Sequence, residues 1–207
     1  MCGHQHGGSL VSILGDSIST FEGVTPPAGV FYGPAYASAL KVSSVEETWW
    51  MQVIHGLGGS LLVNNSYAGS TVSSKGCWPA CSSRRIQALS ANGIFPDIIL
   101  IFTGLNDVDY GIPVGDFADD YARMLTRLNQ HYPHAEIWCS TLCRGHWSEA
   151  SYNEMIRSCA RQENCRLADL ASFGEPYSST DGAHPDAQGM TQLSKLWLKC
   201  LLPKENS

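Results

Sequence analysis

The chain contains five short runs of consecutive apolar residues, separated by longer segments with a different pattern. Strands with one face in water alternate apolar and polar residues, whereas strands covered on both faces are apolar throughout. The runs therefore predict buried strands of a parallel sheet, at Leu10 to Leu14, Leu61 to Val63, Ile98 to Phe102, Ile137 to Cys139 and Arg166 to Leu170.

Four segments between and after these runs have apolar residues at helical spacing. Strands that alternate with helices indicate an α/β fold with a doubly wound sheet. The predicted helices are one after the capping-box pair Ser44 and Glu47, one capped by Asp116, one through Tyr152 to Cys159, and one through Met190 to Leu201 that Pro203 closes.

Composition limits the kind of protein this is. The 207 residues are 43% hydrophobic and 15% charged, which is enough to bury a core, and no linker divides residues 1–207 into separate domains. The net charge is -6 and there is no run of Lys or Arg, which argues against a nucleic-acid or membrane partner. We expect a small-molecule partner, and the sequence leaves the oligomeric state open.

The first eight residues are expected to be a flexible terminus. Cys2, His4 and His6 could bind a metal there, but a flexible or remnant terminus is the favoured interpretation. This segment lacks the basic end and apolar stretch of a signal peptide, and together with the many thiols this favours a cytoplasmic location.

The eight cysteines are too sparse for a disulfide scaffold, so reduced and mostly buried thiols are expected. Cys77 and Cys81 repeat the gap of Cys139 and Cys143. That gap holds three residues, whereas zinc sites commonly use two, so shared metal ligation is disfavoured.

Residues 20–42 and 66–83 show neither the apolar runs of a buried strand nor the apolar spacing of a helix. They are predicted to be long loops. Their aromatic residues indicate that the loops are ordered. These aromatics could stack on sugar rings or only pin the loops; they are Phe31, Tyr32, Tyr36, Tyr67 and Trp78.

The first predicted strand runs into Gly15, Asp16 and Ser17. A serine at the carboxyl end of a strand lies at the rim of an open sheet, where ligands bind. Ser17 could therefore be a nucleophile, or Asp16 and Ser17 could simply cap the following turn.

The segment before the last predicted helix contains Asp181, His184 and Pro185. A serine hydroxyl needs an imidazole to take its proton, and the imidazole needs a carboxylate to orient it. A separation of three residues lets Asp181 reach one ring nitrogen of His184 while the other faces outward. Pro185 can open the helix that follows.

Acyl transfer also needs donors for the charge that develops on the carbonyl oxygen. Asn106 follows the third predicted strand and Gly69 follows the second, so both belong to the same rim as Ser17. Each could instead be an ordinary loop residue.

These segments resemble, in order and at similar intervals, the four blocks of the SGNH/GDSL hydrolase superfamily. The blocks are Gly15 to Ile18, Gly69, Gly104 to Asp107, and Asp181 to His184. The first has isoleucine where the family name has leucine, which leaves the chemistry intact. Ser19 stands where an α/β-hydrolase elbow has glycine, which argues against that fold.

The resemblance implies a flavodoxin-like three-layer α/β/α sandwich. It also implies Ser17 as nucleophile, His184 as general base and Asp181 as its support, with an oxyanion hole from Ser17, Gly69 and Asn106. No cofactor or metal is required. The implied activity is hydrolysis of carboxylic esters, most attractively short-chain or carbohydrate O-acetyl esters; alternatives are a thioesterase or lysophospholipase, or a noncatalytic carbohydrate-binding protein.

Other polar residues near this rim have two interpretations. Asp16, Asp107 and Asp109 could form a metal cluster, but hydrogen bonding in turns is favoured. Arg144 and His146 follow the fourth predicted strand and could contact substrate, although solvated loop residues are the simpler interpretation.

Overall fold

A computed structural model describes residues 8–35 and 37–202 of the chain. Its strands are β1 (Leu10–Gly15), β2 (Ser60–Ser66), β3 (Ile98–Phe102), β4 (Glu136–Ser140) and β5 (Arg166–Ala168). They form one sheet in the order β2-β1-β3-β4-β5, and every neighbouring pair is parallel. The predicted five-stranded parallel sheet is confirmed.

Helices cover both faces of the sheet, which makes the three-layer α/β/α sandwich that was predicted. The helices are α1 (Ala37–Leu40), α2 (Trp49–Gly56), α3 (Ser83–Gln87), α4 (Leu105–Asp109), α5 (Val114–His131), α6 (Glu149–Gln162) and α7 (Ala187–Leu201). Helices α2 and α7 pack against each other, and α5 packs against both α3 and α6. No helix within residues 8–35 and 37–202 has the length and apolar character needed to cross a membrane.

Two predicted boundaries are wrong. The last strand ends at Ala168, and Leu170 begins a turn of 3₁₀-helix that is closed by hydrogen bonds from Ser172 to the carbonyl of Asp169. Asp116 does not cap α5: Pro113 is the N-cap, and Asp116 lies in the first turn, where it pairs with Lys75 at 2.6 Å.

The predicted capping box is present but caps a different element. Ser44 and Glu47 form it around a 3₁₀ turn, and α2 then begins at Trp49 behind its own cap, Thr48. Five residues to which the sequence analysis gave a role lie outside the described residues: Cys2, His4, His6, Tyr36 and Pro203.

The strand order places a switch point between β1 and β3, because the chain leaves β1 toward β2 on one side and later returns to β3 on the other. Ligands of open α/β sheets bind outside the carboxyl ends of the strands at such a point. Ser17 follows β1 and Asn106 follows β3, so both predicted site residues flank this crevice.

A pair of stacked tryptophans fixes one helical layer to the sheet. The rings of Trp49 in α2 and Trp197 in α7 lie 5.2 Å apart and nearly parallel, and both residues are fully buried. Trp49 also meets Phe102 of β3 edge-on and donates its indole N–H to Ser19 Oγ at 3.2 Å. The layer that carries the last helix is therefore joined directly to the strand ends.

Trp197→Ala is expected to lower the free energy of unfolding by about 3–5 kcal/mol, because it removes a buried aromatic ring and leaves a cavity. Urea denaturation measures this change. Trp147→Ala is the matched control: Trp147 is 83% exposed, so its loss should change the unfolding free energy by no more than about 0.5 kcal/mol. Equal effects of the two substitutions would contradict this account of the core.

Candidate active site

The structure brings Ser17 and His184 together across 167 positions of sequence. Ser17 Oγ lies 2.9 Å from His184 Nε2, and His184 Nδ1 lies 2.7 Å from Asp181 Oδ2. The three predicted residues thus form one continuous hydrogen-bonded chain from hydroxyl to imidazole to carboxylate. A carboxylate beside Nδ1 favours the tautomer that carries its proton on that nitrogen and turns the lone pair of Nε2 toward the serine.

The end of β1 presents Ser17 on a short 3₁₀ turn, Ser17–Ser19. Asp16 caps this turn by accepting the N–H of Ile18 at 3.1 Å. Gly15 is required just before it, because a Cβ there would lie within 2.7 Å of the side chains of Ser19 and Ser66. Ser17 itself is only 8% exposed, so it lies at the bottom of the crevice between the strand ends.

The Asp181 carboxylate is held by the backbone of its own turn. Its Oδ1 accepts the N–H of Ala183 at 2.9 Å and that of His184 at 2.7 Å. Partial burial raises the pKa of Asp181, but these hydrogen bonds and the neighbouring imidazole outweigh burial and lower that pKa to about 2. The group is therefore a carboxylate at any pH near neutrality.

Phe31 and Tyr32 place the imidazole from the side of the first long loop. The Phe31 ring stacks on His184, with 3.6 Å between centroids and 12° between planes. Buried Tyr32 donates its hydroxyl to the carbonyl of Pro185 at 2.8 Å. Both aromatics therefore position the turn that contains Asp181 and His184, which favours the interpretation that they pin the loop.

Gly69 and Asn106 lie next to each other on the rim. Asn106 donates its side-chain N–H to the carbonyl of Ser70 at 2.8 Å. Gly69 has φ +75°, a conformation that side chains rarely adopt, and a Cβ there would lie 3.3 Å from the Tyr110 hydroxyl. The hydrogen bond from Asn106 to Ser70 joins the loop after β2 to α4.

Asp107 supports the same junction from below. Its two carboxylate oxygens accept the backbone N–H groups of Val72 at 2.7 Å and Ser73 at 2.9 Å. Burial raises the pKa of Asp107 to about 6 even though these hydrogen bonds lower it.

The acidic residues that could be read as a metal cluster are used otherwise. Asp16 caps a turn, Asp107 holds a loop, and Asp109 forms a two-bond ion pair with Arg144. In the part of the chain that the structure describes, no three His, Cys, Asp or Glu side chains group as metal ligands. The cysteines within that part are free thiols.

Sequence reasoning missed Arg85, which lies buried beneath the rim. Its guanidinium donates to the carbonyls of Gly15 at 3.0 Å, Asn65 at 2.7 Å and Trp78 at 2.6 Å, and to Ser70 Oγ at 2.8 Å; its Nε donates to the Asn65 side chain. Burial lowers its pKa to about 10, so it remains charged at neutral pH. Nothing in the local sequence distinguishes buried Arg85 from Arg84, the exposed arginine that precedes it.

Tyr67 and Trp78 stack on each other with 4.9 Å between ring centroids, and the Arg85 guanidinium lies 4.6 Å from the Tyr67 ring centre. The second long loop is therefore packed against the buried arginine. Arg144, predicted to be solvated, instead bonds Glu149 at 3.0 Å as well as Asp109.

Asp16 is expected to make stability depend on pH. Burial raises its pKa from 3.8 to about 7, so the folded protein retains a proton that the unfolded chain has lost, and stability falls as pH rises between these values. Asp16→Asn keeps an oxygen for the Ile18 N–H and removes this titration. The unfolding free energy of the variant should rise relative to wild type from pH 4 to 7, by on the order of 3 kcal/mol.

Urea denaturation at pH 4, 5.5 and 7 measures that difference. Below about pH 3 the difference should be constant, because Asp16 is then protonated in both states. A difference that is independent of pH throughout would show that Asp16 is ionised in the folded protein.

Three comparisons place the chain among known proteins. A multidomain esterase from Ruminococcus flavefaciens is 30% identical over 118 residues, which span 50% of this chain and only 15% of that protein. A solved structure described as a GDSL-like lipase, from Bacteroides uniformis, is 31% identical with a TM-score of 0.78, covering 94% of this chain and 96% of that one. A Clostridium thermocellum family 3 carbohydrate esterase shares the fold at 16% identity, with a TM-score of 0.68 over 93% and 94% of the two chains.

The family model of GDSL-like lipases and acylhydrolases matches residues 9–201, which include every residue of the hydrogen-bonded chain at the rim. The matched range contains every strand and helix of the described residues, from β1 to α7. The chain therefore belongs to the GDSL-like lipase/acylhydrolase family.

Proposed function

We propose that this protein hydrolyses carboxylic esters through an acyl-enzyme on Ser17. The observation that carries the proposal is the unbroken chain of contacts, 2.9 Å from Ser17 to His184 and 2.7 Å from His184 to Asp181. A hydroxyl, an imidazole and a carboxylate in this order are the parts that make serine nucleophilic at neutral pH. A noncatalytic binding protein would not need this alignment.

In the first step His184 Nε2 takes the proton of the Ser17 hydroxyl as its oxygen attacks the ester carbon. Asp181 stabilises the imidazolium that results. His184 then gives the proton to the departing alcohol oxygen, and the acyl group remains on Ser17. Water attacks the acyl-enzyme by the same proton route and releases the acid.

The negative charge on the carbonyl oxygen needs donors while each tetrahedral intermediate exists. We assign this role to the backbone N–H groups of Ser17 and Gly69 and the side-chain amide of Asn106. The Asn106 amide has two N–H donors, and the carbonyl of Ser70 takes one of them. The same bond sets the direction of the other.

The substrate is proposed to be a short-chain ester, and the favoured example is an acetyl ester of a carbohydrate hydroxyl. The carbohydrate esterase from Clostridium thermocellum with the same fold and the partial likeness to a multidomain esterase support this choice. No cofactor is needed for the chemistry, and the thiol-rich chain is proposed to act in the cytoplasm.

Ser17→Ala is expected to lower kcat on p-nitrophenyl acetate by about 1000-fold or more, because the acyl-enzyme can no longer form. Release of p-nitrophenol at pH 8 measures the rate. Ser151→Ala, at an exposed position of α6, should leave it unchanged. If Ser17→Ala and wild type hydrolyse the ester at the same rate, the protein is not an esterase of this kind.

Asn106→Ala is expected to lower kcat about 100-fold, because it removes one oxyanion donor. The fold should persist, as the near-ultraviolet circular dichroism spectrum can show. A loss below about 5-fold in a folded variant would exclude Asn106 from the oxyanion hole.

A further inference from the structure

Two adjacent cavities meet at Gly145 and His146, and one of them reaches the turn of Asp181 and His184 at Gly182. The cavity that reaches Gly182 has a volume of about 510 Å³ and lies between that residue, the end of α4, and the residues Arg144, Gly145, His146 and Ser148. The other has a volume of about 430 Å³ and shares Gly145 and His146 with the first. Together they form a cleft that leads away from the turn of Asp181 and His184 toward Trp147, and we call it the Trp147 cleft.

We propose that the Trp147 cleft binds a neutral sugar ring of the substrate, with the Trp147 indole as its stacking surface. This inference rests on the proposed esterase function and names the chemical class of the alcohol. It is argued from the exposure of Trp147, the anchoring of its loop, and the charges that line the cleft.

Trp147 is the most exposed of the large apolar side chains in the described residues, at 83% of its surface. An exposed indole beside a cavity offers a flat apolar face on which a ligand can pack, and tryptophan is enriched at binding interfaces for this reason. One face of a pyranose ring consists of C–H groups that can pack on an aromatic plane, while its hydroxyls face outward. His146 lies beside the indole with 5.5 Å between ring centroids and adds a polar group to the same surface.

The loop that carries Trp147 is anchored on both sides. Arg144 donates two hydrogen bonds to Asp109, at 2.8 and 2.9 Å, and one to Glu149 at 3.0 Å. Asp109 is the last residue of the helix that begins at Leu105 and carries Asn106. Trp147 is thus held at a set position relative to the proposed oxyanion hole, and a bound sugar would lose little affinity to loop ordering.

The charges of the cleft favour a neutral ligand over a phosphate-bearing one. Four carboxylates line it, from Asp109, Glu149, Glu154 and Glu175. Two arginines also line it, and both are paired, Arg144 with Asp109 and Glu149, and Arg157 with Asp169 at 2.8 Å. Among the described residues that line the cleft, no Lys or Arg lacks a carboxylate partner, so a coenzyme A thioester or a lysophospholipid would meet uncompensated negative charge.

The test compares three acetyl donors with the same acyl group and different remainders: p-nitrophenyl acetate, an acetylated neutral xylo-oligosaccharide, and acetyl-coenzyme A. Wild type should prefer the oligosaccharide to acetyl-coenzyme A. Trp147→Ala should lower kcat/KM on the oligosaccharide about tenfold, mainly through KM, and change it less than about twofold on p-nitrophenyl acetate. Trp147→Phe should restore most of the loss, because it keeps an aromatic face.

Phe95→Ala is the matched control. Phe95 is 57% exposed and precedes the amino end of β3, whereas Ser17 follows the carboxyl end of β1, so the two lie at opposite ends of the strands. This variant should therefore resemble wild type on all three esters. Loss of activity on none of the esters, or an equal loss on all of them, after Trp147→Ala would overturn the inference. So would a preference for acetyl-coenzyme A, or the absence of hydrolysis of the oligosaccharide.

These outcomes separate the inference from the proposed function. If wild type hydrolyses p-nitrophenyl acetate through Ser17 but fails the oligosaccharide tests, only the sugar assignment is lost. If Ser17→Ala does not affect hydrolysis of p-nitrophenyl acetate, the esterase proposal itself is lost.

Discussion

A buried arginine joins the pieces of chain from which the candidate site is made. Arg85 donates to carbonyl groups at the carboxyl ends of β1 and β2 and to the loop that contains Gly69. A charge enclosed in this way is stable only while all its partners are in place, and removal of one partner leaves others unpaired. The relative positions of Ser17 and Gly69 therefore depend on one guanidinium that touches neither of them directly.

The imidazole of His184 is held by a different set of contacts. Asp181 fixes one ring nitrogen, Phe31 covers one face of the ring, and Tyr32 ties down the carbonyl of Pro185. The ring therefore has little freedom to turn away from Ser17, although it belongs to a turn outside any helix or strand. Preorganisation of this kind lowers the reorganisation needed when charge moves during a reaction.

The apolar runs predicted the strands well because strands buried on both faces have a pattern that no exposed element shares. They missed the polar end of β2, because Asn64 and Asn65 are buried there through hydrogen bonds to Ser19 and Arg85 rather than through apolar side chains. The short helices α3 and α4 were missed because five residues are too few to show a helical period. The helix cap assigned to Asp116 failed because a proline three residues earlier already set the start of α5.

The residues Ser17, Asp181 and His184 could be found because their spacing within short segments has a chemical meaning. Phe31 could be identified as an ordered loop aromatic, but its contact with His184 depends on a fold that brings distant segments together. The contacts of Arg85 and Arg144 had no such signal, because the sequence does not show whether an arginine faces water, backbone carbonyls as Arg85 does, or carboxylates as Arg144 does.

The hydrogen bond between Ser17 and His184 also has a bearing on how the chain folds. One partner follows the first strand and the other precedes the last helix, so almost the entire polypeptide must be in place before they meet. Contacts between such remote segments form late, after nearer ones have reduced the entropy of closing the loop between them. Reactivity at the serine would then emerge only in chains that have completed their folding, and partly folded intermediates would carry an inert hydroxyl.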